Sequence, residues 1–158
     1  MNTTQLTIKM LLDRWYALTK NFDTVLNALT DEQLEKEIAP NKNRGIYLLG
    51  HLIAVHDDML DLMDLGDKLY PEINETFKAP DKSVAEIPSA TTLRACWKKQ
   101  NEVIAEKFNS LQPEQWFEKH TVVSAEDFSK EPHRNKLNIL ITRTSHLAYH
   151  DGQFVLLK

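Results

Sequence analysis

"IYLLGHLIAVHDDMLDLMDLG", residues 46 to 66, is the stretch on which the fold turns. Its apolar residues fall at Leu48, Leu49, Leu52, Ile53, Val55, Met59, Leu60, Leu62, Met63 and Leu65. Steps of three and four are the helical repeat, so the stretch reads as a long amphipathic helix. Gly66 fits the left-handed position just past a helix end. One polar side chain, His51, follows Gly50 inside the apolar run and shares its helix face with Leu48 and Val55. An imidazole among apolar neighbours needs a partner, because burying an unpaired nitrogen costs free energy. A glycine beside it allows another backbone to approach.

On the N-terminal side, Ile8, Leu11, Leu12, Trp15, Tyr16, Leu18, Phe22, Val25, Leu26 and Leu29 repeat the same period, and residues 4 to 29 read as a first long helix. "TDEQ" at 30 to 33 pairs Thr30 with Gln33 three residues later, a capping-box pattern that opens a short helical turn. "APNKNRG" is a loop. On the C-terminal side, residues 67 to 89 carry Pro71, Pro80 and Pro88 without a sustained period and read as a long connection with one short turn of helix. Residues 90 to 111 form a third long helix with Leu93, Cys96, Trp97, Ile104, Phe108 and Leu111 on one stripe. Pro113 suits the first turn of a further short helix. After a polar stretch from 118 to 133, a fourth long helix over 134 to 157 turns Leu137, Leu140, Ile141, Thr144, Leu147, Ala148 and Phe154 inward. Four long helices with no strand pair between them predict an all-α four-helix bundle, and with no linker or repeat in sight residues 1 to 158 read as a single domain.

Composition bounds the function. The chain has 158 residues, 42% hydrophobic and 27% charged, as in an ordinary globular protein. Its net charge of −4 argues against a nucleic-acid partner, and the short basic stretches at 42 to 44 and 133 to 136 read as solvated loop charges. A single cysteine, Cys96, excludes an intramolecular disulfide framework or a multi-cysteine zinc site; on the apolar stripe it reads as a buried, inert thiol. No apolar run is long enough for a signal peptide or a membrane span, so a cytoplasmic protein without a membrane partner is expected.

The chemistry lies in the histidines. "SHLAYHDGQ", residues 145 to 153, sets His146 and His150 four apart. On a helix those positions differ by about 40° around the axis, so the two imidazoles project side by side and can share one divalent ion. Bundle sites draw ligands from facing helices, which makes His51 the candidate third ligand. Spacing alone also allows two polar residues on a wet face and a core histidine bonded to a carbonyl. His56 is about 140° around the helix from His51, so both cannot face one ion, and it reads as a helix-edge or interface histidine. His120 and His133 fall in loops and read as solvated. Asp57 and Asp58 open the polar part of their helix as surface acids, with Asp58 two turns beyond His51 on the same face. Arg143 borders the histidine face and reads as a solvated side chain able to steer an anion.

Together "LLGHL" in the second helix and "HLAYHDGQ" in the last resemble the DinB-like superfamily, which includes thiol-dependent S-transferases related to the bacillithiol and mycothiol enzymes. The likeness covers nearly the whole chain in helix order, including the "LTDEQL" turn. It implies that His51, His146 and His150 hold one divalent transition metal, nickel or zinc in the first place and iron or manganese as alternatives. It also implies a homodimer. The departures are the long 67 to 89 connection and an ending eight residues after His150, regions that line the pocket in such folds.

Three imidazoles leave coordination positions open, as catalytic sites do. The expectation is therefore a metal-dependent enzyme, a thiol S-transferase or a hydrolase, acting on a small molecule such as a low-molecular-weight thiol. The alternative is a metal-binding or stress-related helical protein without chemistry of its own. Gly152, which costs about 1 kcal/mol relative to Ala inside a helix, is expected to mark close packing beside the site.

Overall fold

Short polar side chains set where most of the helices begin. The side chains of Asn2, Thr30, Ser89, Ser124 and Asn135 each accept a hydrogen bond from the backbone N–H three residues on, which satisfies a donor the helix itself cannot. At Asn2 and Thr30 the third residue is glutamine and its side chain answers back to the cap, so the box expected at "TDEQ" is formed. In the computed structural model, which describes residues 1–78, 80–81 and 86–158, the helices are α1 (Thr3–Asn27), α2 (Asp31–Leu34), α3 (Gly45–Leu62), α4 (Pro71–Thr76), α5 (Ala90–Ser110), α6 (Ala125–Lys130) and α7 (Lys136–Phe154). Short 3-10 turns follow at Pro113–Phe117 and Val155–Leu157. Strands are absent among the described residues; two isolated bridges, Glu37 with Arg44 and Lys119 with Asn135, pin loops. The fold is all-α, as expected, with α1, α3, α5 and α7 as its long members.

The end of α3 differs in detail from the sequence reading. Asp64, at φ 56°, takes the left-handed position, while Gly66 lies beyond it at φ 132°. The Leu65 N–H reaches the Leu60 carbonyl at 2.8 Å and the Asp64 N–H the Asp61 carbonyl at 3.2 Å. This pair of bonds is the Schellman stop. The connection from 67 to 89 does contain one short helix, α4; its residues 79 and 82–85 lie outside the described residues. The polar stretch after residue 118 holds a further short helix, α6, which shows no apolar periodicity because it buries nothing. In α7, Ile141 and Ala148 face outward rather than inward.

Packing centres on α3, which lies against α4, α5 and α7, while α1 packs along α7. Because it is covered on several sides, α3 buries residues nearly all round, including Leu49, Leu52, Ile53 and Met59. Trp15 and Phe22 of α1, Trp97 and Phe108 of α5, and Phe154 of α7 complete one continuous buried cluster. Full burial of each such side chain is worth about 1.5–3 kcal/mol. The Phe22 ring meets Trp97 and Phe154 edge-on, at centroid distances of 4.9 and 4.8 Å. Polar ties fix the register: Trp97 Nε1–H donates to Asp23, and the Arg94 guanidinium donates to the Leu26 and Leu29 carbonyls at the C-terminal end of α1.

The two short basic stretches are less solvated than expected. Arg44 pairs with the buried carboxylate of Asp81 at 2.7 Å, and Lys136 is buried against Glu118 at 2.9 Å. No helix among the described residues is long and apolar enough to cross a membrane.

Candidate metal centre

Two helices bring the three histidines together. His51 lies in the N-terminal half of α3, and His146 and His150 occupy successive turns of α7, on the stripe that faces it. His51 Nε2 is 3.3 Å from His146 Nε2, which is 3.0 Å from His150 Nε2. One ring nitrogen from each residue fits within a group spanning 4.8 Å. The rings meet edge-on, at interplanar angles of 73°, 71° and 88°. The three nitrogens thus converge on one point.

Neighbouring groups choose which nitrogen points inward. His51 Nδ1 lies 3.4 Å from the Phe77 carbonyl and His150 Nδ1 lies 2.7 Å from Gln153 Oε1. Both contacts require an Nδ1–H donor, which leaves the Nε2 lone pairs of His51 and His150 facing His146. Their approach is held by Gly50, where an added Cβ would stand 2.1 Å from the Phe77 ring. Gly50 therefore admits an aromatic side chain rather than a neighbouring backbone. The same Phe77 carbonyl receives the Tyr47 hydroxyl at 3.4 Å, and the Tyr47 ring runs parallel to His51.

Electrostatics keep the cluster uncharged. Burial pushes His146 down to about 4, reinforced by His150, His51 and Arg143. Burial also lowers His51, against the Phe77 hydrogen bond and with help from Arg143. His150 is lowered by burial, opposed by the Gln153 hydrogen bond. At neutral pH the site is three neutral imidazoles, the form that ligates metal.

The donor set fits a divalent cation. With His51 and His150 both presenting lone pairs, a single Nε2 proton on His146 is all that hydrogen bonding could offer the two of them. One cation accepts all three lone pairs at once, so the three histidines can hold a metal ion. His51 and His146 are half-buried and His150 is buried. On the His150 side, a cavity of about 300 Å³ is lined by Ile38, Lys42, Leu48, Tyr149, His150 and Gln153.

The other residues singled out in the sequence fall elsewhere. His56 is not at a helix edge but fully buried, between Trp15 and Trp97, with neither nitrogen hydrogen-bonded among the described residues. Burial pushes it down to about 3. His120 is buried instead of solvated, while His133 is exposed as expected. Asp57 is fully buried; its carboxylate accepts the Leu69 and Tyr70 backbone N–H groups at 2.9 and 2.8 Å and anchors the chain entering α4. Asp58 is half-buried, bonded to Asn74 and Lys68. Arg143 is half-buried rather than solvated, with Nε buried and unpartnered among the described residues. Cys96 is half-buried, and burial pushes its thiol up, away from the reactive thiolate. Nothing lies within 4 Å of a Cβ at Gly152, so that glycine marks no close contact among the described residues.

Two contributors went unseen in the sequence. Gln153 stands three residues after His150, one turn along the helix, and that spacing could have revealed it. The Phe77 carbonyl is a backbone group brought in by α4 and left no sequence signal.

The family profile of the DinB superfamily matches residues 14–154, a span that includes all three histidines. No curated protein matches the chain.

Proposed function

The chain belongs to the DinB superfamily, and from that premise we propose that it is a metal-dependent enzyme acting on a small molecule at His51, His146 and His150. The reading is a thiol S-transferase first, with a low-molecular-weight thiol as one substrate, and a hydrolase second. The observation that carries it is the convergence of three neutral imidazole nitrogens, two of them on residues that are only partly buried. Structural zinc sites close their shell with a fourth protein ligand, whereas the cluster among the described residues stops at three. When bound, a divalent ion supplies Lewis acidity that brings the pKa of a thiol or a water toward neutrality.

The chain's own residues do the positioning. The Phe77 carbonyl and Gln153 hold the Nδ1 protons of His51 and His150, so both rings keep one orientation before any ligand arrives. Burial keeps the imidazoles unprotonated at neutral pH. Nickel or zinc suits three imidazoles, with iron or manganese as alternatives. A homodimer in the cytoplasm, with neither nucleic acid nor membrane as partner, completes the reading; the net charge of −4 supports the exclusion of nucleic acid.

The test is turnover by the purified chain, loaded with zinc or nickel, against a panel of small thiols paired with electrophiles and of hydrolysable esters and amides. Metal-dependent turnover that is lost in His150→Ala is expected. Bound metal with no turnover across the panel would overturn the enzyme reading in favour of a non-catalytic metal binder.

A further inference from the structure

Arg143 stands on the same stripe of α7 as His146 and His150, since steps of three and seven residues stay within about 60° around the axis. Its side chain is half-buried, and its Nε is out of reach of water with no hydrogen-bond partner among the described residues. The acid that acts on it is Asp58, two turns beyond His51 on α3. Yet Asp58 is already engaged: one of its oxygens takes the Lys68 ammonium at 2.6 Å and the Asn74 amide at 2.7 Å. Arg143 is therefore a partly desolvated cation whose opposing acid is engaged elsewhere. It is also close enough to His51 and His146 to disfavour their protonation. Burying a guanidinium without a dedicated partner costs free energy, and a bound anion recovers it.

We propose that Arg143 is a substrate-positioning residue that binds a carboxylate of the small molecule, and so directs the rest of that molecule toward the three-histidine cluster. The planar guanidinium fork matches a carboxylate edge to edge. One guanidinium charge matches one carboxylate, whereas the second charge of a phosphate dianion finds no balance in the Lys68–Asp58 pair, whose charges already cancel. Arg143 precedes His146 by one turn on the same stripe, so a molecule held at one side chain lies beside the other. Only the identity of the reacting group rests on the function proposed above; anion binding at Arg143 does not.

Titration of the zinc-loaded chain separates the two. The probes are propionate, inorganic phosphate, 3-mercaptopropionate and its neutral counterpart 3-mercapto-1-propanol. Binding is read by calorimetry and by the NMR signal of the Arg143 Nε–H, identified by its absence in Arg143→Gln. Propionate is expected to shift that signal and to bind more tightly than phosphate. The thiol acid is expected to bind about tenfold more tightly than the thiol alcohol. Arg143→Gln should abolish both preferences while leaving zinc content and thiol-alcohol binding unchanged, and Arg143→Lys should retain part of each. Equal binding of the charged and neutral thiols, tighter binding of phosphate, or propionate binding that survives Arg143→Gln would each overturn the proposal. Should neither thiol bind while propionate still moves the Arg143 signal, the thiol-transfer reading fails and the carboxylate site stands. If the chain takes up no zinc, the propionate and phosphate arms run unchanged on the metal-free chain.

Discussion

His51 and His56 stand five residues apart on α3, share the same helix and the same interior, and end in opposite circumstances. A rotation of about 140° separates them. His51 turns toward α7 and meets two imidazoles and the Phe77 carbonyl. His56 turns into the aromatic interior, 4.9 Å from the Trp15 ring and 5.1 Å from Trp97, and neither nitrogen finds a partner among the described residues. The titration shifts do not tell these surroundings apart. His146 in the cluster is pushed down to about 4 and His56 to about 3, in both cases chiefly by burial. What distinguishes a site from a buried base is convergence: several lone pairs aimed at one point, not one lone pair held out of water.

The largest effect should come from the cluster itself. Elemental analysis of the purified chain is expected to find about one divalent ion per chain, with almost none after His51→Ala, His146→Ala or His150→Ala. His56→Ala should keep its metal. If the His56 variant lost it too, the distinction between the two environments would collapse.

Stability should reverse the ranking. His56→Ala opens a cavity among Trp15 and Trp97, and by analogy with other large-to-small changes in cores it should lower the unfolding free energy by about 2–4 kcal/mol in chemical denaturation. His56→Leu keeps much of the volume and removes two unpartnered nitrogens, so it should recover at least about 1 kcal/mol of that loss. A leucine variant no more stable than the alanine variant would show that the imidazole has a partner in solution.

Acid offers a finer comparison. An unfolded histidine takes its proton near 6.5, whereas folded His56 stays neutral down to about 3. Between those values the unfolded chain binds the extra proton, so stability is complete above the window and falls as pH drops through it. His56→Leu should flatten that decline relative to the native chain when denaturant midpoints are followed against pH. An unchanged slope would assign the acid sensitivity to other groups.

Two glycines give effects of opposite sign. Gly50→Ala drives a methyl into the Phe77 ring beside His51 and should cost about 1–3 kcal/mol. Gly152→Ala meets open space inside α7 and should stabilise by about 0.5–1 kcal/mol in thermal melts. A Gly152→Ala variant that melts lower would point to a surface packed there by a second copy of the chain.

Much of this architecture was legible in the residues. The four long helices declare themselves because each must bury a stripe, and the stripe repeats every three or four positions. The grouping of the three histidines that could hold a metal was legible too: a fixed helical spacing supplied two of them, and an isolated polar residue in an apolar run supplied the third. His56 reads as a helix-edge residue on a one-sided helix, but α3 is covered on several sides. Asp57 reads as a surface acid in the sequence because nothing in its neighbours on the chain reveals that the Leu69 and Tyr70 backbone folds back onto it. Helix α6 left no apolar trace, although Ser124 three residues before Asp127 is a capping signal. Gly152 departs from the close packing expected of it, because a glycine within a helix permits close approach without requiring it.

Gln153 carries a longer consequence. It grips the Nδ1 side of His150 and sits outside the trio of converging nitrogens. The identity of a ligand and its donor strength are therefore encoded at separate positions. A glutamate there would enrich the imidazole in electron density and an alanine would release the ring, each without moving the residue that does the binding. The donor strength and the orientation of His150 can thus be changed through a neighbour, in single substitutions, with all three histidines left in the sequence.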